Sequence, residues 1–438
     1  MTRSRRASAG PATSSPVVAT LSVAPRRPEE PSKFRCEFDG ISVDHRSPEH
    51  RLARKLIAAG YPPDAPFQTV WDDGTPSLKW KSLADAAGTD ADHVAVQTTH
   101  PHCSPWPDED AQALVREHGV RDVMQTEFCH EALSRVAQAV KAATTRPELF
   151  THIACGRARI DQVASNRRVM GDDGKVKAVR WTATKDPEVR AAPEGLIDPY
   201  LKSISFWNDQ RKLAAMHYYA VHNTSYDYDC VITSDFLGLA RERRSDDEPD
   251  VAHIVFNECA GNVTAGKYND GAHENREIFT QRIYDGIVAA EANAGRLPVD
   301  ELNWHVEPVF LPPGADMNEP DMMAILTDPE VQSKDRTKAA IKIAGLRRQD
   351  VPIPFGCLKI DKAACILHLP GESFIEYQLF AQEHSTADWV AVPSYGDCGP
   401  GYICLDKSYD EGGYEPIDSF VAPGVEGVMK DAIKKLME

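Results

Sequence analysis

The sequence predicts a layered α/β domain, and three observations carry that prediction. Amphipathic helical stripes recur along the chain, short apolar runs lie between them, and no internal repeat joins the units. Strands that alternate with helices pack as sheets covered by helices, because each element must bury its apolar face on another. A chain of 438 residues suffices for one large α/β domain or two ordinary ones.

The elements follow in order. Residues 1–35 are rich in Arg, Ala, Pro and Ser. Such a segment cannot bury enough surface to offset its ordering entropy, so a disordered arm is expected. Ser4-Arg5-Arg6 resembles the start of a twin-arginine export signal, but Ala-Ser-Ala-Gly-Pro follows in place of a hydrophobic core. A cytoplasmic location is favoured and export stays open. Residues 36–438 are expected to form a single domain. Its first part is weakly patterned, with a short helix over Arg51 to Ala59 and turns over Pro62 to Pro76. Glu127 to Ala143 sets Phe128, Ala132, Val136, Ala139, Val140 and Ala143 on one helical stripe. Asn275 to Ala294 does the same through Phe279, Ile283, Ile287 and Ala290, and the C-terminus from Val425 through Val428, Ala432, Ile433 and Leu436. The apolar runs Ile204 to Trp207, Val251 to Phe256, Ala364 to Leu369 and Trp389 to Val392 read as buried strands.

Composition excludes several classes. The net charge of -17 disfavours a nucleic-acid partner, since phosphate binding needs clustered Lys and Arg. No run approaches the length of a membrane span. The ten cysteines include no CxxC pair, which argues against a zinc finger or a thioredoxin-like motif. Cys155, Cys259 and Cys365 sit among apolar neighbours and read as small buried residues.

The polar chemistry gathers at strand ends. Val94, Val96, Thr98, His100 and His102 share one parity, and in an extended strand residues two apart face the same side. Two imidazoles would emerge together where Pro101 and Pro105 stop regular pairing. They read either as metal ligands or as loop histidines. Met216 to Ser225 is an aromatic-rich run that ends in His222 and a hydroxyl cluster. Leu367 to Glu372 closes a strand on a carboxylate at a Pro-Gly turn. Ala391 to Ile403 is a glycine-rich loop that presents Tyr395 and Tyr402. Together these offer His, His, Glu and Tyr at strand termini, a donor set that zinc accepts.

Eight motifs in order then make the chain similar to the neutral (alkaline, non-lysosomal) ceramidases. Thr99-His-Pro-His-Cys-Ser-Pro105 resembles the family's Thr-His-Thr-His-Ser-Gly-Pro. Asn166-Arg167-Arg168, Ile197-Asp-Pro199, Tyr219-Ala-Val-His222-Asn-Thr-Ser225 and Ser234-Asp235-Phe-Leu-Gly238 follow. Cys259 to Gly271, Leu369-Pro-Gly-Glu372, and Gly401-Tyr402-Ile403 with Glu411-Gly-Gly-Tyr-Glu415 complete the series over residues 80–438. The resemblance implies a layered mixed-sheet catalytic domain without the C-terminal immunoglobulin-like domain. It implies one Zn²⁺ held by His100, His222, Glu372 and Tyr402. His102 would orient the site or donate to developing charge, Tyr402 would stabilise an oxyanion, and Arg167 would hold a polar or anionic part of the substrate. The implied reaction is hydrolysis of an N-acyl (amide) bond by metal-activated water, on a small-molecule or lipid substrate.

The chain also departs from the family. Asn262 stands where the family has Asp, and Thr264 stands at its active-site serine, keeping a hydroxyl. Pro101, Cys103 and Ser104 replace Thr, Ser and Gly. The family's opening strand and Asp-Pro-Leu segment have no match before Trp80, so 36–80 is divergent or incomplete. Other readings therefore stay open: a hydrolase of a smaller amide or ester, a non-catalytic or damaged family member that binds without turnover, and a thiol enzyme using Cys103 or Cys259 with His102 or His222 as base.

Overall fold

The computed structural model describes residues 76–100, 102, 107–226, 233–396 and 400–438, with side chains from residue 81 onward. The expected arm over 1–35, the helix over Arg51 to Ala59, the turns over Pro62 to Pro76, and residues Pro101, Cys103 and Ser104 lie outside it, apart from the backbone of Pro76.

Two mixed sheets form the centre. The first contains β1 (His152–Arg159), β2 (Tyr200–Asn208), β3 (Arg211–Tyr219), β4 (Ala252–Asn257) and β5 (Gly295–Pro298), in the order β4-β3-β2-β1-β5. The second contains β6 (Leu302–Val309), β7 (Ile353–Ile360), β8 (Ala364–His368) and β9 (Trp389–Ala391), in chain order. Pairing is antiparallel except at two places, β3 with β4 and β8 with β9. Those parallel pairs need crossovers, and helices supply them. Asp235–Asp247 links β3 to β4, and Ile375–His384 links β8 to β9.

The core explains the layering. Ile153, Ile204, Phe206, Met216 and Tyr218 of the first sheet meet Leu358, Ile360, Ile366 and Trp389 of the second. The opposite face of the first sheet buries Ala158, Leu201 and Tyr219 against Phe236, Phe279, Ile283 and Ile287 of two helices. The far face of the second sheet buries Phe355, Cys365 and Leu367 against Tyr377, Met429 and Ile433. The order of layers is helix, sheet, sheet, helix. A side cluster of Ala111, Leu114, Val115 and Ile343 packs two further helices together.

The predicted elements agree closely in position. The helices run Thr126–Thr144, Glu274–Ala292 and Val425–Met437, and the four apolar runs fall on β2, β4, β8 and β9. The stripe on Thr126–Thr144 is only partly covered. Val140 is buried while Ala143 is exposed, because this helix packs at the periphery.

One expectation needs correction. The stretch leading to His102 is not an extended strand of constant parity. Gln97 makes one antiparallel bridge to Gly396, and His100 has φ +51, in the left-handed region. The two rings still come together, 5.1 Å apart between centroids and edge to face.

Candidate active site

The C-terminal ends of the two parallel strand pairs converge on one place. After β3 the chain runs into His222, after β8 into Glu372, and after β9 into Tyr395 and Tyr402. Cross-links between the sheets fix these ends. Glu258 just after β4 bridges to Pro393 just after β9, and the Ser394 amide donates to the Asn257 carbonyl at 3.0 Å. Beneath them Lys202 is buried between Asp198 and Glu258, 2.7 Å from each. The second Glu258 oxygen accepts from the Val392 amide at 2.9 Å. One ammonium here faces two carboxylates, and burial, opposed by Lys202, leaves the Glu258 carboxyl above the ordinary glutamate range.

His222 is held at two points. Its amide donates to the Val263 carbonyl at 3.0 Å, and its ring Nδ1 lies 2.7 Å from the Ala260 carbonyl. A carbonyl can only accept, so Nδ1 carries the proton and Nε2 keeps its lone pair. That Nε2 points at Glu372 Oε2, 3.1 Å away, and His100 Nε2 lies 3.5 Å from the same oxygen. The three ring donors of His100, His102 and His222 lie within 4.8 Å of one another. His102 is thus within ligand range as well, a closer placement than a neighbouring role requires.

Glu372 and Tyr402 are direct partners in a two-residue parallel ladder, so backbone register sets them side by side. Gly261 passes beneath this ladder. A Cβ there would lie 2.1 Å from the Glu372 carbonyl oxygen, so the position admits only glycine without displacement. Arg167 is buried, and its Nη1 donates to the Tyr402 hydroxyl at 2.9 Å. Its guanidinium also lies over the rings of Tyr402 and Tyr414, 5.6 and 5.8 Å from their centroids.

Electrostatics favours a cation in this group. Burial holds the His100 and His222 imidazoles well below the usual histidine range, helped at His222 by Arg167. Both rings are therefore neutral, with a ring lone pair that a metal could take. Burial opposes the charge of Arg167, yet Tyr402, Glu415 and Glu372 hold it above the ordinary guanidinium value. Burial, with Glu372 adding to it, pushes the Tyr402 phenol well up. His100 Nε2, His222 Nε2 and Glu372 Oε2 are buried without a hydrogen-bond partner. Native proteins rarely leave such atoms unsatisfied, and a divalent ion would satisfy all three at once. Two imidazoles, a carboxylate and a phenol are nitrogen and oxygen donors that suit zinc.

The other expected site residues divide. Thr264 is buried, but its hydroxyl donates to the Trp181 carbonyl at 3.3 Å, so a role in the reaction would require it to change partner. Asn262 caps the helix Ile375–His384, accepting from the Ile375 amide and donating to Glu376, both at 2.9 Å. Cys259 is part of the apolar core, and burial followed by Glu258 raises its thiol, which makes a poor nucleophile. The sequence reading missed Arg168, which pairs with Glu415 at 2.8 Å and Glu411 at 3.1 Å and so anchors the loop carrying Tyr414. Its place beside Arg167 in the Asn-Arg-Arg motif was the available signal.

No family model matches the chain, and no curated protein is significantly similar to it. Solved structures are. Neutral ceramidase from Pseudomonas aeruginosa superposes with a TM-score of 0.59 at 16% identity, over 82% of this chain and 64% of that one. A ceramidase complexed with C2 gives 0.59 at 15% identity, over 83% and 66%. The fold is that of the neutral ceramidase catalytic domain, as the motifs implied, and the chain spans about two thirds of those proteins' length.

Proposed function

We propose that this protein is a zinc-dependent hydrolase of N-acyl (amide) bonds. The observation that carries this reading is the buried, unsatisfied trio of His100 Nε2, His222 Nε2 and Glu372 Oε2, with Tyr402 beside Glu372 in the ladder. His100, His222, Glu372 and Tyr402 would hold the ion. When bound, Zn²⁺ polarises a carbonyl and lowers the pKa of coordinated water to about 7. The rest falls to the chain's own side chains. His102 is placed to orient the site or to donate to developing charge. Arg167 holds the Tyr402 hydroxyl and offers its positive charge to the substrate's polar end. The ceramidase fold supports a lipid amide as substrate, and a smaller amide or ester would use the same groups.

Turnover by the zinc-loaded full chain tests this, on N-acyl amides with short, medium and long acyl chains. The expected result is release of free amine, abolished by a chelator and restored by zinc. Activity kept in chelator and lost to a thiol alkylator would replace this reading with a thiol mechanism.

A further inference from the structure

Tyr395 is a second phenol in the cluster, and the mechanism above gives it no part. It is 4% exposed, and its ring stacks on His100 with centroids 4.5 Å apart and planes at 30°. Its ring centroid lies 6.1 Å from that of His222. Its hydroxyl is buried without a hydrogen-bond partner, within electrostatic reach of Glu372 and Arg167. Stacking needs only the ring, and a phenylalanine would supply it without stranding a polar group.

The backbone here is also held in a costly conformation. Tyr395 has φ +63, in the left-handed region that non-glycine residues avoid, as does its stacking partner His100 at φ +51. Three hydrogen bonds keep Tyr395 there. Its amide donates to the Gly371 carbonyl at 2.8 Å, and its carbonyl accepts from the Thr98 amide at 3.2 Å and the Thr98 hydroxyl at 3.1 Å. Gly371 directly precedes Glu372, so the same clamp fixes the phenol relative to the carboxylate. Tyr402 has a different assignment: its hydroxyl oxygen accepts from Arg167, and it is one of the four residues that would hold the ion.

We propose that the Tyr395 hydroxyl is a catalytic hydrogen-bond donor to the carbonyl oxygen of the substrate as that oxygen gains charge. This rests on the amide-hydrolase reading. In the step concerned, the oxygen of water bonds to the carbonyl carbon and the C=O pair moves onto oxygen. The C–N bond then breaks, and the nitrogen leaves as an amine with the proton that water gave up. Acid and amine are the products, and Tyr395 keeps its proton throughout. A buried donor already held in place needs little rearrangement as charge develops.

Tyr395→Phe in the full chain tests the proposal, because the ring stays and only the hydroxyl goes. The expected result is a fall in kcat of about a hundredfold, the size seen when one oxyanion donor is removed. KM and zinc content should match the wild type, and the melting temperature should not fall. A second arm measures calorimetric binding of hexylphosphonate, a tetrahedral anion, against hexanoate. Tyr395→Phe should weaken the phosphonate about tenfold or more and leave hexanoate alone. A wild-type kcat in the variant, or equal phosphonate affinity, overturns the proposal and leaves Tyr395 a stacking residue. If the wild type cleaves no N-acyl amide, the amide reading fails by itself, and the phosphonate arm still decides Tyr395.

Discussion

Asn262 shows what one atom does at this site. Its two side-chain polar atoms have opposite duties. Oδ1 accepts from the Ile375 amide and Nδ2 donates to Glu376. Asn262→Asp would keep the acceptor, lose the donor and set a second carboxylate against Glu376. The variant should lose about 1–3 kcal/mol of stability at neutral pH, the usual size for an orphaned buried polar group. The urea midpoint should recover partly below pH 5, where one carboxyl takes up a proton; equal midpoints at pH 7 would contradict the argument. Single residues were legible in the sequence where chemistry clusters along the chain. His100 ends an alternating stretch, His222 and Glu372 follow apolar runs, and Tyr402 lies in a glycine-rich loop. Constant strand parity does not account for the His100/His102 pairing, because His100 takes a positive φ that the residue types around it do not signal. Tyr395 was visible only as one of two tyrosines in a glycine-rich loop, since stacking on His100 is a contact across 295 positions, 395 less 100.

At the scale of elements, length decided legibility. The helices over Thr126–Thr144, Glu274–Ala292 and Val425–Met437 carry several turns of apolar period, and the sequence located each within a few residues. The ladders that build the site are two residues long, Glu372–Ser373 with Tyr402–Ile403 and Ser165–Asn166 with Val263–Thr264. Two residues hold no period, so the register that sets Glu372 beside Tyr402 came only from the fold. Helices with weak stripes, such as Asp235–Asp247 and Ser333–Arg347, escaped for a related reason. Polar residues inside them make local networks, as Asp235 does by accepting from the Ser225 amide at 3.0 Å and pairing with Arg276 at 3.4 Å.

The described residues form a helix–sheet–sheet–helix sandwich whose polar interior is as organised as its apolar one. The layered class was legible from alternation. Strand order was not, because β1 pairs with β5 across some 140 residues and nothing local records it. Among the described residues, no helix is long and apolar enough to cross a membrane. Several buried histidines remain neutral in this interior. Burial lowers His217 and His253, which share a contact of 3.0 Å, and lowers His368 to about 4. Unfolded histidine binds its proton near pH 6.5, while these folded rings do not. Below that pH the unfolded state therefore holds more protons, and stability falls as pH falls. For His368 the window runs from 6.5 down to about 4. His368→Gln, which can still bond Gln97, should show a shallower loss of stability across that window than the wild type, by urea midpoints at several pH values. Identical slopes would contradict it.

The central claim is that distant strand ends assemble one zinc site, and elemental analysis of purified protein tests it most directly. The wild type should carry about one zinc per chain, and His222→Ala, folded by circular dichroism, should carry far less, since it removes one of the four residues that would hold the ion. A wild type without stoichiometric zinc after zinc loading, or a His222→Ala variant that keeps it, would contradict the account.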